Sequence, residues 1–447
     1  MGIFRTIYYN LKLNRNLKKS KAEIKNLQEK KFRKLLFHAY DNSKFYRELY
    51  EENGIKRKDL NDIKIKDLPL VNKKMIMENF DKIITKENLN RKKVEEFLES
   101  KEAPTNLYNN KYRIINTSGS TGRIGIFVYS AREWDFIKAV ALRMFENFGL
   151  KPKRYAYIGA VDGHYAGISL FLSPINQFEE IFYEDYLIIN INKILSDYID
   201  KLNHLNPHNI TGYPSGVKML AELQLKGKID ITPETVICGG EPLLENDIQI
   251  IKKAWNIKPL NYYASSESLM IGIKRPQDNN MYLMDDINYV EIKEDKTIIT
   301  NLYNYTQPLI RYELSDVLKK AQVQEKDWPF DQVKNIIGRR EEMIWFDNEN
   351  GNREFLHPIV LAEFYVKGLK KFQIIKLDEK SFLMKAIISN KFDKNEVKNK
   401  IRKRMGKLLN QKNMSNIVFK IQEVKKLEVN SQTGKFKLIK KRRRGED

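Results

Sequence analysis

Asn116-Thr117-Ser118-Gly119-Ser120-Thr121-Gly122 follows a run, Tyr112 to Ile115, with the aromatic and β-branched character of a strand. Four hydroxyl side chains and two glycines fill the six residues from Thr117. A loop of this make-up can converge its N–H groups and hydroxyls on phosphate oxygens. It lacks the Gly-Lys-Ser/Thr ending of a Walker loop, and the same residues also suit an ordinary Ser/Gly turn. The chain around it decides between the two.

Downstream, short β-rich runs alternate with helical ones. Strands are expected at Tyr155 to Gly159, Asn209 to Gly212, Thr235 to Cys238 and Leu260 to Tyr263, with helices at Lys193 to Leu202 and Ser215 to Lys226. This spacing predicts a doubly wound α/β sheet, whose ligand lies beyond the carboxyl ends of the strands. After Gly338 the pattern changes to a smaller α+β unit. It has strands at Phe372 to Leu377 and Phe382 to Ile388, a charged helix at Lys394 to Leu409 and a last strand near Ile417 to Ile421. We therefore expect domains at 1–338 and 339–447, with the hinge in Asn335 to Arg340.

Upstream, residues 1–100 read as mostly helical. Phe32 to Tyr50 repeats apolar and aromatic residues every three or four positions and closes at Asn53-Gly54. Ile3, Phe4, Ile7, Tyr8 and Leu11 recur at helical spacing among Arg5, Lys12 and Arg15. Two readings fit that basic amphipathic segment: a helix packed on its own domain, or one lying on an anionic membrane.

Among 447 residues, 80 Lys and Arg against 58 Asp and Glu give a net charge of +22, which invites a nucleic-acid or anionic-membrane partner. The distribution narrows this. Residues 1–35 hold 11 basic and 2 acidic side chains and residues 430–447 hold 7 and 2, so these segments account for 14 of the 22 units. A single cysteine, Cys238, excludes an internal disulfide and any multi-cysteine metal site. No apolar run approaches a membrane span and the first segment lacks a signal-peptide core, so a cytoplasmic protein is expected, with peripheral attachment to the inner face of the membrane as an option.

The remaining motifs come in order. Gly239-Gly240-Glu241-Pro242-Leu243 follows one strand and Tyr263-Ala264-Ser265-Ser266-Glu267 another. Leu309-Ile310-Arg311-Tyr312 leads to Ser315-Asp316; then come Gly338-Arg339-Arg340-Glu341-Glu342 and Thr433-Gly434-Lys435. Together with Thr117 to Gly122, the set resembles the adenylate-forming superfamily of acyl-CoA and aryl-CoA ligases. Leu35 to Arg47 and Tyr213-Pro214-Ser215 look like the phenylacetate-CoA ligase group and its relatives among capsular polysaccharide biosynthesis proteins. The resemblance runs from about Leu27 to Lys440. It implies a large N-terminal adenylate-forming domain with doubly wound sheets and a small mobile α+β C-terminal domain.

The resemblance also implies roles. Thr117, Ser118, Gly119, Ser120, Thr121 and Gly122 would hold the β- and γ-phosphates of ATP. Gly240, Glu241 and Pro242 would line one side of the adenine, and Tyr263, followed by Ala264, would stack on it or on the acyl group. Ser266 would approach the α-phosphate and Glu267 would ligate Mg2+, which takes one or two carboxylates beside phosphate oxygens. Asp316 would accept the ribose hydroxyls, Arg339 would support the ribose and phosphate end, Glu341 would be the hinge, and Lys435 would reach the acyl carboxylate and α-phosphate. The acyl pocket would be built from Ala160 to Ser169, with His164, Tyr165, Tyr213 and Gly239. Where this family has glycine before the ribose-binding aspartate and after the stacking tyrosine, this chain has Ser315 and Ala264.

The reaction so implied activates a small carboxylic acid as acyl-AMP and transfers the acyl group to coenzyme A. An amine or hydroxyl acceptor in polysaccharide or natural-product synthesis is the alternative. A different class, a basic membrane- or nucleic-acid-binding protein with a degenerate ligase fold, also fits the charge, although no specific nucleic acid is expected.

Overall fold

The computed structural model describes residues 2–100, 106–117, 125–144, 153–161, 163–173, 183–191, 195–293, 296–314, 316–322, 327–339, 344–351, 353–356, 361, 364, 366–410, 413–429 and 436–441. The first hundred residues are helical as expected: α1 Gly2–Asn16, α2 Lys21–Asn42, α3 Lys44–Glu52, α4 Lys73–Glu78, α5 Phe80–Ile83 and α6 Arg91–Glu99. Ser20 starts α2 with a capping box, its hydroxyl accepting the Glu23 N–H while Glu23 accepts the Ser20 N–H. The Phe32 to Tyr50 periodicity is not one helix. Ser43 breaks it by adopting an extended backbone that caps the end of α2 and the start of α3, and its hydroxyl donates to the Lys82 carbonyl at 3.1 Å.

β1 (Tyr112–Asn116) and β2 (Ile126–Ser130) pair antiparallel, and α7 (Ala131–Met144) follows. The chain then alternates through β3 (Lys153–Gly159), α8 (Ala166–Phe171), β4 (Tyr183–Asn190), α9 (Ile199–Leu205), β5 (Asn209–Gly212), α10 (Pro214–Leu225), β6 (Thr235–Gly239), α11 (Glu245–Trp255) and β7 (Leu260–Tyr263). Of the helix expected at Lys193 to Leu202, the described part is a 3-10 turn at Leu195–Tyr198 that runs into α9, and Lys193 lies outside the described residues. Next come β8 (Gly272–Lys274), β9 (Met281–Leu283), β10 (Asn288–Ile292), β11 (Thr297–Asn301), β12 (Tyr312–Leu314), β13 (Asp316–Lys320) and β14 (Gln332–Arg339).

Nine of these strands form one sheet in the order β13-β14-β9-β8-β7-β6-β5-β3-β4. The run β4-β3-β5-β6-β7 is parallel, each link being a crossover helix. The pairs β7–β8, β8–β9 and β9–β14 are antiparallel, so the sheet is mixed rather than purely doubly wound. The connections Ala264–Ile271 and Arg275–Asn280 are too short for a crossover. α9, α10 and α11 cover the parallel part, burying Leu202, Val217, Leu220 and Ile251 against Ala156, Ile158, Ile210 and Val236, with Cys238 fully buried among them. Burial pushes the Cys238 thiol far up, with the Asp247 and Glu241 charges adding to it. β10, β11 and β12 make a second, three-stranded antiparallel sheet.

A buried ionic knot ties the first helices to this body. Arg143 of α7 pairs with Asp286 at 2.6 Å, both fully buried, and the Asn16 amide donates to the same carboxylate at 2.9 Å. Burial pushes the Asp286 carboxyl up, but the Arg143 guanidinium, with the Lys31 charge and the Asn16 amide, outweighs it and holds the group below its ordinary range. Its neighbour Asp285 accepts the Asp331 N–H and goes the other way, pushed well above the ordinary range by burial and by the Asp331 charge.

The chain divides into two compact units, Met1–Leu314 with Leu318–Asn335, and Ser315–Val317 with Ile336–Asp447. In the second, β15 (Ile344–Asp347) and β16 (Arg353–Leu356) form a hairpin. β17 (Leu369–Asp378), β18 (Ser381–Ile388), β19 (Val418–Glu423) and β20 (Ile439–Lys441) form a sheet in the order β19-β18-β17-β20. α12 (Lys394–Asn410) lays Val397, Ile401, Met405 and Leu409, one per turn, into its core with Phe382, Met384 and Ile374. All four elements expected here are present, with strands a residue or more longer at some ends.

Candidate active site

The carboxyl ends of β5, β6 and β7 carry three of the sequence motifs. After β5, the Tyr213 N–H donates to the Ile158 carbonyl at 2.9 Å, and Pro214 opens α10, where its missing N–H costs nothing. After β6, a Cβ on Gly239 would sit 2.3 Å from the Tyr262 ring, and Gly240 has φ +78° with the Tyr213 ring alongside. Both glycines are therefore required by the space and the turn. Glu241 folds back, its Oε2 accepting the Ser215 N–H at 3.2 Å in the first turn of α10, so Tyr213, Gly240 and Glu241 form one cluster. Burial pushes the Tyr213 hydroxyl up and the Glu241 charge adds to it, so it is a neutral donor at any ordinary pH.

After β7, Tyr263 is buried and its carbonyl accepts the Ile271 N–H at 2.9 Å. Ser265 and Ser268 close the following turn on each other. Two partners distant in sequence hold the next residues. The Tyr129 hydroxyl of β2 donates to the Ser266 carbonyl at 2.8 Å. The Asn301 amide donates to the Glu267 carbonyl and the Tyr312 hydroxyl of β12 donates to Glu267 Oε1, both at 3.1 Å. The Glu267 carboxylate is thus aimed by a rigid strand residue.

β2 also connects to the root of the glycine-rich stretch. Thr117 N–H donates to the Gly125 carbonyl at 2.9 Å, and Thr117 Oγ1 accepts the Gly125 N–H at 2.8 Å and the Lys73 ammonium at 3.1 Å. Ser118, Gly119, Ser120, Thr121 and Gly122 lie outside the described residues. Lys73 starts α4 and was not picked out from the sequence, because nothing local marks it. Beside this root, the Asn116 N–H donates to the His164 carbonyl at 2.9 Å. The His164 ring is buried with its centroid 5.2 Å from that of Phe97, and Tyr165 leads into α8.

Arg311, within the Leu309 to Tyr312 motif, is a strut. Its guanidinium pairs with Glu291 at 2.9 and 3.0 Å and donates to the Lys66 and Leu68 carbonyls, and its backbone takes φ +50°. That holds β12, and with it Tyr312, in register with the chain around Val71. Asp316 opens β13, half-buried, and Arg339 ends β14. Glu341 and Lys435 lie outside the described residues.

Among the described residues no three His, Cys, Asp or Glu side chains gather as a metal cluster.

No family model matches the chain. It is 25% identical to protein CapK of Staphylococcus aureus over 397 residues, covering 84% of this chain and 81% of that protein. Among solved structures it superposes on 2-hydroxyisobutyryl-CoA ligase in the postadenylation state in complex with R3-HIB-AMP, with a TM-score of 0.73, 16% identity, and 96% and 92% of the two chains covered. The same ligase in the thioesterification state, with 2-HIB-AMP and CoA, gives a TM-score of 0.58 at 16% identity, covering 96% and 92%. The chain has the adenylate-forming fold, a large α/β domain with a separate smaller C-terminal one.

Proposed function

We propose that this protein is an adenylate-forming ligase that converts a carboxylic acid and ATP into an acyl adenylate and pyrophosphate, then passes the acyl group to coenzyme A. The observation that carries the reading is the coupling of three motifs through β2 and β12. Tyr129 of β2 fixes Ser266, Tyr312 of β12 fixes Glu267, and Thr117 at the other end of the β1–β2 pair is fixed by Gly125 and Lys73. Thr117 at the root of the proposed phosphate loop, the Glu267 carboxylate and the Ser266 turn would then act from one hydrogen-bonded frame. Preorganised groups of that kind stabilise charge developing in a displacement.

In the first step a carboxylate oxygen attacks the α-phosphorus, the bond to the bridging oxygen of pyrophosphate breaks, and pyrophosphate leaves. Thr117 to Gly122 would hold the departing phosphates, helped by the Lys73 charge. Mg2+, held by Glu267, would neutralise the phosphate oxygens. Tyr263 and the Gly240-Glu241-Pro242 turn would enclose the adenine, and Asp316 and Arg339 would hold the ribose end. Lys435 would stabilise the transition state from the smaller unit, which Glu341 would allow to withdraw. In the second step the thiolate of coenzyme A attacks the acyl carbon and AMP leaves with the C–O bond electrons. His164, Tyr165, Tyr213 and Gly239 would wall the acyl pocket, and the buried hydroxyl of Tyr213 suits an oxygen-bearing acid. The resemblance of Leu35 to Arg47 and Tyr213-Pro214-Ser215 to relatives among capsular polysaccharide biosynthesis proteins keeps a polysaccharide-linked role within the proposal.

The test is pyrophosphate release, and ATP–pyrophosphate exchange, over a panel of aliphatic, aryl and amino acids with and without coenzyme A. One class of acid should support exchange without coenzyme A and turnover with it. Lys435→Ala should cut adenylation by about a hundredfold or more. Exchange with no acid at all, or full exchange in Lys435→Ala, would sink the proposal. Exchange that stays intact while coenzyme A adds nothing would move the acceptor to an amine or hydroxyl.

A further inference from the structure

α1 packs on its own domain by a mixed side on which polar contacts predominate. The Thr6 hydroxyl lies 3.1 Å from the Gly2 carbonyl and 3.4 Å from that of Asp135, the Asn10 amide donates to the Ala139 carbonyl at 3.1 Å, and the Asn16 amide reaches Asp286. Arg5 pairs with Asp135 at 3.2 Å, Leu13 is buried, and the Tyr9 ring lies edge-on to Phe136 of α7 with centroids 5.3 Å apart. The opposite face carries Phe4, Ile7, Tyr8 and Leu11, spaced i, i+3, i+4, i+7, and these are 77, 48, 60 and 56% exposed. A surface helix ordinarily does the reverse. One exposed leucine means nothing, but a contiguous stripe of four on the outward face of an anchored helix marks a contact surface. Rolling the helix to hide the stripe would break the Asn10, Asn16 and Arg5 contacts at once.

We infer that this face of α1 docks on an anionic lipid surface. The helix contains Arg5, Lys12 and Arg15 and no acidic residue, and Lys18 and Lys19 follow it directly. Arg15 stands one turn beyond Leu11, so it extends the stripe, and Lys12 falls on the shoulder next to Tyr8. Long basic side chains placed so can lay their stems along the apolar stripe and reach up to phosphate headgroups, while the aromatic rings sit at the interface. A second copy of the chain would bring two such sets of cations together with no acid on the helix to match them. This inference does not depend on the proposed reaction.

The experiment uses the full chain and cosedimentation with vesicles of phosphatidylcholine alone or mixed with phosphatidylglycerol. Wild type should bind the anionic vesicles, lose binding on plain phosphatidylcholine and weaken as salt is raised. The double variant Phe4→Ser/Leu11→Ser should bind about tenfold more weakly or less, with an unchanged melting curve because both side chains are exposed. Tyr8→Trp gives a second readout, an emission shift to the blue only with anionic vesicles. No binding of wild type to any vesicle, or equal binding by the double variant, overturns the inference. A wild-type dimer in solution that the double variant abolishes, without vesicle binding, overturns it too and gives the face to a second copy.

Discussion

Tyr312 is the residue whose hydroxyl aims the Glu267 carboxylate, from 45 positions further along the chain. A hydrogen bond to a charged group is worth about 1.5–3 kcal/mol, so Tyr312→Phe should slow pyrophosphate release about tenfold to a hundredfold while leaving the melting temperature nearly unchanged. An equal rate in that variant would mean that Glu267 does not need aiming. Two adjacent carboxyls make opposite predictions about pH. Asp285 has its folded value raised, so the folded chain holds a proton there that the unfolded chain releases, and its contribution to stability falls as pH rises from the ordinary carboxylate value through the raised folded one. Asp285→Asn keeps an oxygen for the Asp331 N–H and should stabilise the protein at about pH 7, with the gain gone near pH 4, as urea unfolding would report. Asp286 has its folded value lowered, so its pair with Arg143 stabilises at neutral pH and fades as pH falls through that lowered value. Arg143→Met, which strands that carboxylate, should cost about 3–5 kcal/mol at neutral pH.

Among the elements, those that follow a strict period were legible in the sequence. β18 buries Phe382, Met384, Ala386 and Ile388 and turns the residues between them outward, and α12 buries one residue per turn, so each declares itself. The parallel strands β3, β5, β6 and β7 were legible from their spacing with helices. β8 and β9 were not, because three residues carry no period and their direction depends on the length of the connections. The break at Ser43 was hidden for a related reason: apolar spacing continues across it, and only the extended backbone there shows the cap. In the site, the glycines and Glu267 were readable from motifs, whereas Tyr129, Asn301, Tyr312 and Lys73 act across the fold and no local pattern links them to their partners. α1 was readable as amphipathic, yet which of its faces meets the domain depends on α7. At this scale Gly239→Ala is informative, since its new methyl would enter the Tyr262 ring at the end of β6. It should destabilise the protein by about 1–3 kcal/mol in urea unfolding, and a neutral result would show that the β6–β7 junction is softer than its packing implies.

For the whole molecule, the two units have separate cores. The second is built from Ile344, Phe346, Phe382, Met384, Ile401 and Met405 with their neighbours, enough apolar surface for a domain of its own. Residues 336–447 expressed alone should therefore unfold cooperatively on heating, and a fragment without a transition would mean that the smaller unit depends on the larger. No helix among the described residues is long and apolar enough to cross a membrane, and α1 combines basic residues with a stripe of exposed apolar side chains. Cys238 has a practical consequence at this scale. It is the one cysteine in 447 residues, sealed beneath α10 and α11 with its thiol held protonated. A cysteine introduced at any exposed position would thus be the sole thiolate open to a maleimide dye. One dye on α1 and another on α12 would give a distance ruler across the two units with no background labelling to subtract.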